Sequence, residues 1–246
     1  MATFQTQDRV TGEDVILRYE VHGEGFPILL IAPGGMKSAV PVWANAPYNP
    51  IDAWRGEFQV IAMDQRNAGG STGPIHAEHG WQTYAEDQLA LLDHLNVDRF
   101  IVSGMCIGGP YGFGLMRAVP ERVSAAVLFQ PIGLTDNRQA FYDMFDGWMN
   151  ELKATRGEVS EADWQGMRAN MYGGDNFLFN VGDAEVSATT TPMLVLMGRD
   201  LYHPEASSRR VAELAPNARL IEAWKDGEDI AAARAQTLEF LRSHAA

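Results

Sequence analysis

The chain has 246 residues, 46% apolar and 21% charged, a balance that excludes a disordered or fibrous polymer and suits one sizeable core. With 19 Lys and Arg against 32 Asp and Glu, the formal charge of −13 disfavours nucleic acid and anionic membrane surfaces as partners. No basic leader followed by an apolar run is read at the N-terminus, and no stretch of about 18 apolar residues occurs, so a cytoplasmic setting is the default expectation.

Strand-like and helix-like segments alternate along most of the chain, the pattern of a mostly parallel sheet with helices on both faces. Val15 to His22 reads as an early strand. Pro27 to Ala32 is a continuous apolar run of the kind buried on both faces, and Pro33-Gly34-Gly35 ends it. Phe58 to Met63 reads as the next strand and leads into the polar turn from Asp64 to Ser71. Tyr84 to Leu95 is a helix, since Ala85, Leu89 and Leu92 share one face at i, i+4 and i+7. Arg99 to Ser103 is a short strand, Ile107 to Ala118 a helix and Val123 to Gln130 another buried strand.

From 131 to 191 the alternation stops and the sequence turns helical and aromatic, with Phe141, Tyr142, Phe145, Trp148, Trp164, Tyr172, Phe177 and Phe179. This stretch reads as a helical cap inserted between two core segments, 1–130 and 192–246. Its aromatics either close over a ligand or simply pack against the sheet. Alternation resumes with a strand at Met193 to Met197, a helix near Pro204 to Leu214, a strand at Ala218 to Trp224 and a closing helix at Ala231 to Ser243.

Cys106 is the only cysteine, so neither an internal disulfide nor a cysteine-based zinc site can be built. A lone cysteine is usually a small buried apolar residue. This one lies in Gly104-Met105-Cys106-Ile107-Gly108-Gly109, between a strand and a helix, with glycine two residues away on either side. A side chain thrust out on a sharp strand-to-helix turn crowds its backbone, so its flanks must be small. At the start of a helix the sulfur also meets the positive end of the helix dipole, which favours thiolate.

Over essentially its whole length the chain resembles the α/β-hydrolase family. Gly34 and Gly35 stand where that family forms half of its oxyanion hole, and the resemblance implies donation by the N–H groups of Gly35 and Ile107. Asp64 through Ser71 resembles the family's Asp-x-Arg-Gly-x-Gly-x-Ser turn, with Asn67 in place of one glycine. The elbow is similar to that of dienelactone hydrolases, which use cysteine, whereas the insertion is more like that of capped esterases and lactonases.

The family's acid follows the strand after the cap, and Met197-Gly198-Arg199-Asp200 fits that place, so the resemblance implies Asp200. The histidine expected after the last strand is missing from Ala223 to Asp229. His203, three residues beyond Asp200, is the leading substitute as general base. His79 and His76, on the loop after the Arg66 turn, are the alternatives.

The expected activity is a cysteine-dependent hydrolase of a small apolar ester, thioester or lactone, working through an acyl-enzyme. The alternative is a small-molecule binder, or a lyase or isomerase, that kept the pocket without the base. No cofactor is implied, because neither a dinucleotide fingerprint nor a phosphate-binding Gly-x-x-x-x-Gly-Lys occurs. No metal is expected either: His76 and His79 form the only close histidine pair, and spacing sets no carboxylate beside them.

Overall fold

The computed structural model describes residues 2–245. In chain order the elements are β1 (Ala2–Gln7), β2 (Asp14–His22), β3 (Phe26–Ile31), α1 (Pro50–Trp54), β4 (Phe58–Met63), α2 (Trp81–His94), β5 (Phe100–Met105) and α3 (Gly108–Ala118). They continue with β6 (Val123–Phe129), α4 (Arg138–Lys153), α5 (Glu161–Tyr172), α6 (Asp183–Ala188), β7 (Met193–Leu196), α7 (Glu205–Leu214), β8 (Ala218–Ile221) and α8 (Gly227–His244).

The strands form one eight-stranded sheet in the order β1-β2-β4-β3-β5-β6-β7-β8. β1 and β2 run antiparallel, as do β2 and β4; every pairing from β4 onward is parallel. Period-2 alternation divides the core between two faces. Leu29 and Ile31, Ile61 and Met63, and Ala126 and Leu128 join one cluster, with α2 and α3. Ile28 and Leu30, Val60 and Ala62, and Val127 and Phe129 join the other, with α1 and α8. Strands buried on both faces must be apolar throughout, which is why the runs at β3 and β4 are readable in sequence.

The insertion between β6 and β7 supplies α4, α5 and α6. Its aromatics Phe141, Phe145, Trp148, Trp164, Tyr172 and Phe179 are buried and belong to the same cluster as the α2–α3 face, so its packing continues the sheet core. Phe141 is the hub, 4.6 Å from Phe179, 5.5 Å from Tyr172 and 5.4 Å from Tyr202 between ring centroids.

Two elements go beyond the sequence reading. β1 is a sheet-edge strand, and its Thr and Gln side chains carry no apolar run. α1 is capped by Asn49, whose side chain accepts from the Ile51 N–H at 3.0 Å, with Pro50 at the first helical position. β8 ends at Ile221, short of the expected Trp224, because the strand's last ladder bond is Met197 N–H to Ile221 O at 2.9 Å. Trp224 instead turns inward and donates to Met197 O at 2.8 Å.

Candidate active site

Cys106 sits at the corner where β5 hands over to α3, with φ 62, a left-handed conformation unusual for a non-glycine residue. Three backbone bonds hold it there. Its N–H donates to Phe129 O at 3.0 Å, and its carbonyl accepts from Gly109 at 3.1 Å and Ile132 at 3.1 Å. The turn closes tightly enough that a Cβ on Gly104 would stand 2.3 Å from the Gly108 carbonyl oxygen, so the first flanking glycine is a steric requirement.

The thiol is partly buried at the C-terminal ends of the parallel strands. Burial opposes its ionisation, yet its pKa is lowered, because His203 pairs with it and the N–H groups of Gly34 and Ile107 stabilise sulfur charge. Tyr111 and Tyr172 are near enough to feel the sulfur's charge, and both phenols are buried.

His203 reaches this thiol from the loop between β7 and α7. Asp200 Oδ1 accepts the Tyr202 and His203 N–H groups, each at 3.1 Å, which folds the loop back on itself. The same oxygen lies 2.6 Å from His203 Nδ1. This loop packs on Gly198, where a Cβ would stand 2.4 Å from His203 Cβ. His203 Nε2 has no partner of full hydrogen-bond geometry, while the Cys106 sulfur is the group that most favours its protonation. Burial opposes a charged imidazole, but Cys106 and then Asp200 outweigh it and raise the His203 pKa. Asp200 is in turn lowered: burial opposes its charge, and the His203 bond and charge overcome it. Lys225 Nζ stands 3.9 Å from the second Asp200 oxygen, on the far side of the carboxylate.

The structure thus brings together Cys106, His203, Asp200 and Ile107. From the loop that carries Gly35, the N–H that stabilises charge on the sulfur is that of Gly34. Gly35 lies one residue on, inside a 3-10 turn, and faces the Met144 side chain of α4.

His79 and His76 are not brought to the thiol. His79 is fully buried, with Nε2 3.2 Å from Asp8 and Nδ1 accepting the His76 N–H at 3.1 Å. It belongs to a buried ionic cluster in which Arg66 donates to Asp87 at 2.7 and 2.8 Å and is also paired with Asp8. Burial first, and then the Arg66 charge, lowers the His79 pKa despite Asp8, so the ring is neutral in a structural role. His76 is half-exposed and lies 3.9 Å from Asp163. Among the described residues no group of three or more His, Cys, Asp or Glu side chains is arranged to hold a metal ion. Nor is any helix long and apolar enough to cross a membrane.

Sequence reasoning did not single out Gly34, whose N–H stabilises sulfur charge, or Gln130 at the end of the strand beside the elbow. Gln130 follows β6 with φ 37, and its buried Oε1 lacks a partner. Its signal in sequence was only its place at a strand end beside the elbow.

A strained strand-to-helix corner, an acid after the strand that follows the insertion, and an eight-stranded mostly parallel sheet are the defining parts of one fold family. The chain belongs to the alpha/beta hydrolase fold family, whose model matches residues 27–180.

Among its relatives, RutD from Azorhizobium caulinodans, a proposed carbamate hydrolase, is 36% identical over 117 residues, covering 48% of this chain and 42% of that protein. The 3-oxoadipate enol-lactonase 2 of Acinetobacter baylyi is 26% identical over 141 residues, covering 57% and 51%. The matched region therefore spans about half the length of either relative. Among solved structures, the Mycobacterium tuberculosis protein Rv0554 superposes with a TM-score of 0.74 at 22% identity, covering 100% of both chains, and shows the shared fold.

Proposed function

We propose that this protein is a hydrolase of ester-type bonds in small, fairly apolar molecules, with Cys106 as nucleophile, His203 as base and Asp200 as the acid that orients it. The observation that carries this reading is Asp200 Oδ1 2.6 Å from His203 Nδ1, with His203 in turn the side chain that most lowers the pKa of a thiol held at a strained corner. Relatives named for carbamate, enol-lactone and carboxylic ester chemistry support the same bond class.

In the first step the Cys106 thiolate attacks the carbonyl carbon, and the N–H groups of the Gly34–Gly35 loop and of Ile107 hold the oxygen that gains the charge. The imidazolium of His203 gives its Nε2 proton to the departing oxygen as the carbon–oxygen bond breaks, leaving a thioester on Cys106. Water then attacks that thioester, His203 Nε2 takes its proton, and the carbon–sulfur bond breaks to release the acid and restore the thiolate. Asp200 stays ionised and holds Nδ1–H, so that Nε2 always faces the reaction. The insertion 131–191 covers this chemistry as a cap. A working thiol needs a reducing compartment, which supports a cytoplasmic setting. The binder, lyase or isomerase alternative rested on the lack of a base, and His203 in this position weighs against it.

The test is hydrolysis of p-nitrophenyl acetate by the wild type and by Cys106→Ala, with circular dichroism to check the fold. Turnover is expected to fall by about a thousand-fold or more. Activity that survives the substitution overturns the assignment of the nucleophile.

A further inference from the structure

A groove of about 250 Å³ runs between the Gly34–Lys37 loop and α4. One end is Gly34, an exposed residue whose N–H serves the Cys106 sulfur, so the groove starts at the loop that borders the thiol. Met36, Met144 and Trp148 supply the apolar wall. Thioether side chains adapt their shape to a flexible occupant. The volume lies just under the roughly 300–1,000 Å³ of sites for drug-sized ligands, which suits a slender chain better than a ring system.

The rim sets the charge of the occupant. Lys37 Nζ is already paired with Glu151 Oε1 at 2.6 Å, and Asp143 adds a second carboxylate. The mouth therefore carries one more carboxylate than cation, on a chain with a formal charge of −13, and repels an anionic tail.

Gly147 lies on this groove in the interior of α4, where glycine is the poorest helix former after proline. A Cβ there would meet nothing within 4 Å, so no neighbour in the fold requires glycine. Its missing side chain leaves the groove open. We infer that this groove seats an unbranched, uncharged apolar chain carried by the substrate, and that Gly147 sets its width; this rests on Cys106 being the reactive nucleophile.

The experiment uses alkylation, which needs no turnover. Cys106 thiolate displaces iodide from iodoacetamide or from N-octyl iodoacetamide, forming a carbon–sulfur bond, and the ratio of the two rate constants reads the chain's seat. In the wild type the octyl reagent is expected to react at least about ten-fold faster. Gly147→Leu should bring that ratio to about one by filling the groove, while its rate with plain iodoacetamide stays at the wild-type value and certifies the fold. Gly147→Ala, with one methyl in open space, should keep the ratio within about two-fold of wild type. The same ratio in Gly147→Leu as in the wild type overturns the groove assignment and leaves Cys106 standing. A thiol slow toward both reagents overturns the nucleophile itself, and the groove's role with it.

Discussion

Replacing His203 with Gln removes the imidazole from a sulfur that burial alone would keep protonated. In the wild type, burial raises the Cys106 pKa, and the His203 bond and charge together with two backbone N–H groups more than reverse it. Without His203 only the Gly34 and Ile107 N–H groups oppose burial, so the thiol pKa should rise from its wild-type position. A lowered thiol pKa means that thiolate is present below the ordinary range in the wild type and is lost as pH falls through the folded value; in His203→Gln that loss sets in at higher pH. Iodoacetamide alkylation at pH 7 should slow at least about ten-fold, since each pKa unit is a factor of ten in thiolate. Ester turnover should fall further, by about 10²–10⁴, because the variant also lacks the proton carrier. The assay is the pH dependence of the alkylation rate, read on the chain's only thiol. An unchanged profile in His203→Gln, or the same loss in His79→Gln, refutes the pairing.

Asp200→Asn keeps the size of the side chain but replaces the oxygen 2.6 Å from His203 Nδ1 with a neutral amide, and kcat should drop by about 100-fold or more while Tm holds, measured by ester kinetics and thermal melting. Asp8→Ala leaves the buried Arg66 without one of its two carboxylates and should lower unfolding free energy by about 3–5 kcal/mol in urea titrations. Burial raises the Asp8 pKa, but Arg66 and the Thr11 N–H bring it well below its ordinary value. Its contribution is therefore complete above the ordinary aspartate range, and the gap from wild type should narrow as pH falls below about 4. Gly104→Ala, which sets a Cβ 2.3 Å from Gly108 O, should abolish activity and lower Tm, seen in paired assay and melt. Gly147→Ala should raise stability by about 0.5–1 kcal/mol, as expected for alanine in place of glycine within an exposed helix.

The sheet core was legible wherever burial on both faces forces a continuous apolar run, as at Phe58–Met63, whose bounds match the strand. It was illegible where a strand lies at the edge and needs no such run, as at Ala2–Gln7. The corner around Cys106 could be read because crowding imposes glycine at a fixed spacing, and Gly104 against Gly108 is that crowding. The choice among histidines could not be made from spacing, since His76, His79 and His203 all follow strand ends on one rim of the sheet. Tertiary contacts set them apart: Asp8 and the His76 N–H engage His79, whereas His203 pairs with Asp200 and acts on the thiol. Which N–H of this glycine loop faces the sulfur was illegible for the same reason, because it depends on how the loop coils into its 3-10 turn against α4.

Trapping the covalent intermediate tests the central claim most directly. The protein is mixed with excess p-nitrophenyl acetate, quenched in acid within the first turnovers and digested for mass spectrometry. An acetyl thioester on the peptide that contains Cys106, absent from Cys106→Ala and removed by hydroxylamine, is the predicted result. Full turnover with no adduct on that peptide contradicts it.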